Sequence, residues 1–163
     1  STGARTRLCL ENMAGAGTEI GTTFAELRMI MDLAQRGPTL GVCFDTCHAY
    51  GAGYDVSTAR GLRFAIDEAD RAVGIDRIAV VHANDSKGQL GGRKDRHEHI
   101  GDGAIGLAGF RNILACAELA DLPFILETPV DSPEDQVRDL AAIRSCAPQG
   151  EHRQLTGRMR VEV

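Results

Sequence analysis

The chain alternates short, almost wholly apolar runs with longer segments in which apolar residues return every three or four positions. The runs are Leu8–Leu10, Leu40–Phe44, Ile78–Val81 and Phe124–Leu126. Near-continuous hydrophobicity over so few residues predicts strands buried on both faces, because a half-exposed strand would alternate apolar with polar. The periodic segments are Thr22–Gln35, Ser57–Val73, Leu107–Leu119 and Pro133–Arg144. Phe24, Leu27, Ile30, Met31 and Ala34 fall on one helical face of the first, and Leu62, Ala65, Ile66, Ala69 and Val73 on one face of the second. Thr22, Ser57 and Ser132 are the candidate N-caps, Ser132 standing just ahead of an acidic first turn at Glu134 and Asp135. Strand, loop and helix repeated in this way predict βα units and a parallel sheet.

The polar residues that interrupt this pattern stand at one kind of place. Glu11, Asp45, His82 and Glu127 each lie at or just after the C-terminal end of a run. In a (β/α) barrel that is the face carrying the active site. An open, doubly wound sheet also places its site at strand C-termini, usually beside a glycine-rich phosphate loop, but none of the four runs leads into a G-x-G-x-x-G. The predicted fold is therefore α/β. A closed barrel needs eight strands and typically about 250 residues, so some four βα units correspond to half of a TIM-type (β/α)8 barrel. On this reading the chain is the C-terminal half, with a partial barrel domain over residues 1–147 and a mobile tail over residues 148–163.

Composition adds limits. Hydrophobic residues make up 43% of the 163 and charged residues 25%, a globular balance, and no stretch approaches a membrane span. Ser1 to Arg7 lacks the apolar run of a secretory signal. Cys9, Cys43, Cys47, Cys116 and Cys146 are an odd set scattered through apolar or motif segments, which suits reduced thiols and a cytoplasmic location. A net charge of −5 argues against a broad basic surface for nucleic acid. Charge held in a metal site is counted with its ions, however, and two Zn²⁺ would bring the total to about −1.

Around the strand ends the metal-ligating residue types form a set: Glu11, Asp45, His48, His82, Asp95, His97 and Glu127. Carboxylates and imidazoles suit Zn²⁺ or Mn²⁺ in an open catalytic site, and seven such residues suffice for more than one ion. Taken singly, each has an ordinary reading as a solvated residue, a helix cap or a hydrogen-bonded histidine; four successive strand ends bearing Glu, Asp, His and Glu do not. Asp45-Thr46-Cys47-His48 and Asp95-Arg96-His97 each add a second donor from one loop. A zinc clip by Cys43 and Cys47 is disfavoured, because alternation in Leu40–Phe44 points Cys43 into packing and leaves one thiol near the site. His99, Asp85 and His152 have simpler roles in loop hydrogen bonding or solvent.

Two stretches carry a resemblance to a known family. Gly41-Val42-Cys43-Phe44-Asp45-Thr46-Cys47-His48 resembles the G-x-C-x-D-T-C-H signature of endonuclease IV, the family 2 apurinic/apyrimidinic endonucleases. The segment from Val81 to Gly103, VHANDSKGQLGGRKDRHEHIGDG, resembles that family's H-x-N-D-S-K to D-R-H to G-x-G signature. Leu10-Glu11-Asn12 and Ile125-Leu126-Glu127-Thr128 are similar to its remaining C-terminal elements, while the H-x-S-Y element of its earlier strands occurs nowhere in the chain.

The resemblance implies a zinc-dependent DNA repair endonuclease, a deoxyribonuclease IV-type phosphodiesterase acting in base excision repair. It would hydrolyse the phosphodiester 5′ to abasic sites in double-stranded DNA, leaving a 3′-hydroxyl and a 5′-deoxyribose phosphate. It implies three Zn²⁺ in the intact family site. Glu11 would bridge two ions, Asp45, His82 and Glu127 would complete the second, and His48, Asp95 and His97 would hold the third, giving two complete shells here. Glu127 and Glu11 are the catalytic candidates, and Lys87 and Arg96 are candidate phosphate contacts. The alternatives are a metal-dependent sugar isomerase or epimerase on the same barrel, or an inactive zinc-binding fragment that pairs with its missing N-terminal half or with itself.

Overall fold

The computed structural model describes residues 6–34 and 39–148. The tail assigned to residues 148–163 falls, from residue 149 on, outside the described residues, as does Gln35. Four strands form one parallel sheet in the order β1 (Cys9–Glu11), β2 (Gly41–Asp45), β3 (Ile78–His82) and β6 (Phe124–Ile125). The helices are α1 (Phe24–Leu33), α2 (Thr46–Ala52), α3 (Ala59–Val73), α4 (Gly106–Ala115) and α5 (Pro133–Ser145). Between β3 and α4 lies a small antiparallel ribbon of β4 (Asp85–Ser86) and β5 (His97–Glu98).

The core sits between the sheet and the helices. Val42 and Phe44 of β2 meet Phe24, Leu27 and Met31 of α1 and Leu62, Ala65, Ile66 and Ala69 of α3 in one cluster. The rings of Phe24 and Phe44 stack with centroids 6.0 Å apart. The helical faces read from periodicity are those buried: all five residues named for α3 are buried, as are Phe24, Leu27 and Met31 of α1. Complete burial of the strands holds only for β2; β1 and β6, each with one neighbour among the described residues, are partly exposed.

Several boundaries move, for local reasons. Strand β1 begins at Cys9, leaving Leu8 exposed and bringing Glu11 into the strand. Helix α1 is capped by Thr23 instead of Thr22, because the Thr23 hydroxyl accepts from the Glu26 N–H while the Glu26 carboxylate accepts from Thr23, a reciprocal capping box. Thr58, not Ser57, caps α3, since the Ser57 hydroxyl is spent on Asp55. The helix expected to reach Leu119 stops at Ala115, where Cys116 turns extended and a separate turn buries Leu119. Ser132 does cap α5, with the Asp135 carboxylate accepting from its N–H at 2.7 Å.

Helix α2 and the β4–β5 ribbon had no counterpart in the hydrophobic pattern. The Asp45–His48 step is helical, not a loop: Asp45 ends β2 and caps α2 at once, accepting the His48 N–H at 2.7 Å. Behind the ribbon, Gly101-Asp102-Gly103-Ala104-Ile105-Gly106 has the spacing of a phosphate-cradling loop, and its amides do cradle an anion. The anion is the buried Asp85 carboxylate, which accepts from the N–H groups of Gly101, Gly103, Ile105 and Gly106, and from that of Ser86. A side chain at Gly103 would collide with that carboxylate. Asp85→Ala is expected to destabilise the protein by at least about 3 kcal/mol, since it orphans several amides that now bond a charged acceptor. Urea denaturation of the two purified proteins checks this; an unchanged midpoint would remove Asp85 from the scaffold.

Candidate metal centre

Side chains two apart on a strand share a face, so the residues over the inner side of the sheet are Cys9 and Glu11, Cys43 and Asp45, Val80 and His82, with Glu127 just past β6. A register shift between Val42 and Cys43 decides the alignment of the middle pair. Val42 lies opposite Ile78, yet Cys43 lies opposite Val80, so that Asp45 comes level with His82. Without the shift Asp45 would face Val81, whose side chain belongs to the helix-covered core.

Glu11, Asp45, His82 and Glu127 thereby offer ligand atoms that all lie within 4.8 Å of one another. His82 Nδ1 is 3.1 Å from Glu11 Oε1, 3.0 Å from Glu127 Oε2 and 3.8 Å from Asp45 Oδ2. Three carboxylates around one imidazole call for a cation. Without a metal that role falls to His82 itself: burial opposes its charge, but hydrogen bonds to Cys43, Glu11 and Glu127 carry its pKa to about 12. Glu11 responds in kind, held down at about 2, against its burial, by its bonds to His48 and His82.

A second set joins it at Asp45. His48 Nδ1 lies 3.0 Å from the Asn12 carbonyl and 3.2 Å from Glu11 Oε1, and His97 Nδ1 lies 2.9 Å from the Glu127 carbonyl. A carbonyl can only accept, so each ring carries a proton on Nδ1 and turns Nε2 inwards; burial opposes a charge on His48, but its bond to Glu11 and the nearby Asp45 and Asp95 raise its pKa to about 9. These two Nε2 atoms are the buried side-chain polar atoms without a hydrogen-bond partner among the described residues. Each stands 3.3 Å from the same atom, Asp95 Oδ1. Donors about 2.0–2.1 Å from one tetrahedral zinc lie about 3.3–3.4 Å from each other, so the spacing of each Nε2 from Asp95 fits an ion that displaces any proton there.

Asp45 connects the sets. It is fully buried; Oδ1 caps α2, while Oδ2 takes an Asn84 Nδ2 hydrogen at 2.7 Å and lies 3.8 Å from His82 and 4.0 Å from His97. Burial pushes its carboxyl pKa up, with His48 and His97 pulling the other way. Asn12 grips the Asp45 backbone from both sides, donating to its carbonyl at 3.0 Å and accepting its N–H at 2.8 Å. Asn12, Asn84 and Thr46 were missed by a search for ligand types. Each lies within two residues of a candidate ligand and inside a stretch that carries the family resemblance, and neither signal says what it holds.

All seven sequence-derived residues fall in overlapping groups: Glu11, Asp45, His82 and Glu127; Asp45, His48 and His97; and Asp95 and His97 with Cys47. Cys43 requires a correction. It is buried, but on the face of Asp45, so it sits beneath the site with its sulfur grouped with Glu11 and His82. Cys47 groups instead with Asp95 and His97, no group contains both thiols, and all five cysteines are free. His99 bonds the buried Asp139 at 2.9 Å, its ordinary reading, and His152 lies outside the described residues. Lys87 and Arg96 are exposed on the ribbon loop that delivers Asp95, with Arg93 and Lys94 beside them; Lys87 is 3.7 Å from Glu98. Among the described residues no helix is long and apolar enough to cross a membrane.

Comparison with known proteins agrees with this architecture. The family described as xylose isomerase-like TIM barrel matches residues 3–146. A protein of Methanoculleus marisnigri named "Probable endonuclease 4" is 47% identical over 140 residues, 86% of this chain and 50% of its own length. One of the same name from Aquifex aeolicus is 48% identical, covering 85% of this chain and 49% of its own. The crystal structure of endonuclease IV from Thermus thermophilus superposes with a TM-score of 0.75 at 44% identity, over 87% of this chain and 50% of that one. The chain thus spans about half the length of the relatives it matches.

Proposed function

Since the chain belongs to the xylose isomerase-like TIM barrels, among the endonuclease IV proteins, we propose that it carries the greater part of the metal centre of a zinc-dependent DNA repair endonuclease. The reaction is hydrolysis of the phosphodiester 5′ to an abasic site, leaving a 3′-hydroxyl and a 5′-deoxyribose phosphate. The observation that carries this reading is the pair of buried Nε2 atoms of His48 and His97 that converge on Asp95, joined through Asp45 to the three-carboxylate set. A dense multi-ion site of this kind suits in-line displacement at a phosphate.

Glu11, Asp45, His82 and Glu127 would hold one ion, His48, Asp95 and His97 a second, and Glu11 would reach towards a third. Zinc, when bound, supplies Lewis acidity towards water and a phosphodiester oxygen at neutral pH. Glu127, at the exposed mouth of the set, orients the attacking water and takes its proton. Lys87 and Arg96, exposed on the ribbon loop, contact DNA phosphates. An abasic nucleotide leaves the helix at reduced cost because no base is left to unstack.

Joined to the first half of the Thermus thermophilus endonuclease IV, the chain is expected to incise an abasic duplex in added zinc and to leave undamaged duplex whole. Isomerisation of free aldoses without incision would overturn the nuclease reading in favour of the sugar-isomerase alternative. By itself the chain is expected to retain about two zinc ions after exhaustive dialysis, because two ligand sets are complete. Three tightly held ions per chain by elemental analysis would show that the ligand assignment is wrong.

A further inference from the structure

The two ligand sets are not independent, and one side chain that ligates nothing lies across both. Asn84, on the turn between β3 and β4, is fully buried. Its Oδ1 accepts the Glu127 N–H at 2.8 Å, and its Nδ2 donates to Asp45 Oδ2 at 2.7 Å and to Glu127 Oε2 at 3.3 Å. Its own peptide is pinned by Thr46, whose hydroxyl accepts the Asn84 N–H at 2.9 Å and lies 2.7 Å from the Asn84 carbonyl. The amide cannot be turned round. An N–H from Glu127 must meet an oxygen, so the NH₂ group is obliged to face the carboxylates.

We propose that Asn84 is a positioning residue that couples the two metal groups, so that its loss weakens both ions together. This rests on the zinc reading above. In the first group it fixes the carboxylates of Asp45 and Glu127 directly. In the second it acts through two routes: Asp45 Oδ2 faces His97 as well as His82, and the Glu127 residue it grips by the N–H is the one whose carbonyl orients His97. Neutral Asn suits the position because it donates to two carboxylates without adding charge. Partners of this kind hold ligands in their binding orientation, and their removal typically costs about 10–100-fold in metal affinity.

The test is competition for Zn²⁺ between a chromophoric chelator and the full 163-residue chain, as wild type, Asn84→Ala, Asn84→Ser and His97→Ala, with thermal melting of each metal-free protein. Expected is a loss of about 10–100-fold at both zinc steps in Asn84→Ala and Asn84→Ser, against loss at one step in His97→Ala. The metal-free melting temperature of at least one Asn84 variant should stay near wild type. Two zinc steps as tight as wild type, or weakening of one alone, would overturn the coupling role while leaving the zinc reading intact. Both variants losing their metal-free fold would mark Asn84 as structural and overturn it too. A wild-type chain that takes up no zinc would overturn the zinc reading itself.

Discussion

In any form of the protein that cuts abasic duplex DNA, Glu127→Gln is expected to lower kcat by roughly two to three orders of magnitude with little change in KM, the scale of losing one group that acts in the transition state. The substitution is nearly isosteric and deletes only charge and basicity. The Glu127 backbone would still donate to Asn84 and still accept from His97 Nδ1, so the second ligand set survives. What goes is a carboxylate 3.0 Å from His82, half-exposed at the mouth of the site, whose bond to His82 holds its pKa below the ordinary range and keeps it ionised at neutral pH. Gln neither takes a proton from water nor balances a cation. Steady-state kinetics on an abasic duplex, beside a DNA-binding titration, separate the two effects. A variant that cuts at near wild-type rate would remove Glu127 from the reaction.

Expressed as residues 1–163 alone, the protein is expected to self-associate and to show essentially no incision of abasic DNA. Among the described residues strands β1 and β6 each pair on one side only, and the N–H and C=O groups of such edges template other chains. Leu8 beside β1 and Val130 after β6 are 69% and 56% exposed, and add apolar surface near both edges. On the proposed reading the described residues supply two ligand sets, whereas the family resemblance implies three ions. Two copies meeting edge to edge would bring Glu and Asp where the resemblance calls for histidines. Size-exclusion chromatography with light scattering, paired with a cleavage assay in added zinc, measures both halves of this prediction. A stable monomer that cuts efficiently would mean that these four units make a self-sufficient site.

The site was legible to the extent that it is written in residue type at strand ends. Glu11, Asp45, His82 and Glu127 stood out because a charged residue closing an apolar run is conspicuous, and His48, Asp95 and His97 because they follow closely in two short motifs. The residues that hold these ligands did not stand out. Asn12 and Asn84 look like ordinary loop asparagines until their partners arrive from 33 and 43 positions away. The alternation that reads Cys43 as packing cannot tell burial from nearness to a site, because the inner face of this sheet is both.

By itself the sequence determined the four strands, the apolar faces of α1 and α3, the cap of α5 and the end of the sheet that bears the chemistry. Each of these follows from periodicity and local side-chain to backbone bonding, which act over a few residues. Tertiary structure decided the rest. The register shift that sets Asp45 level with His82, the carbonyls that fix the two histidine tautomers, and the filling of the Gly101–Gly106 cradle by Asp85 depend on groups far apart in the chain. Only when the strands pair and the helices close over them do those groups come within hydrogen-bonding distance, and no local pattern carries the information beforehand.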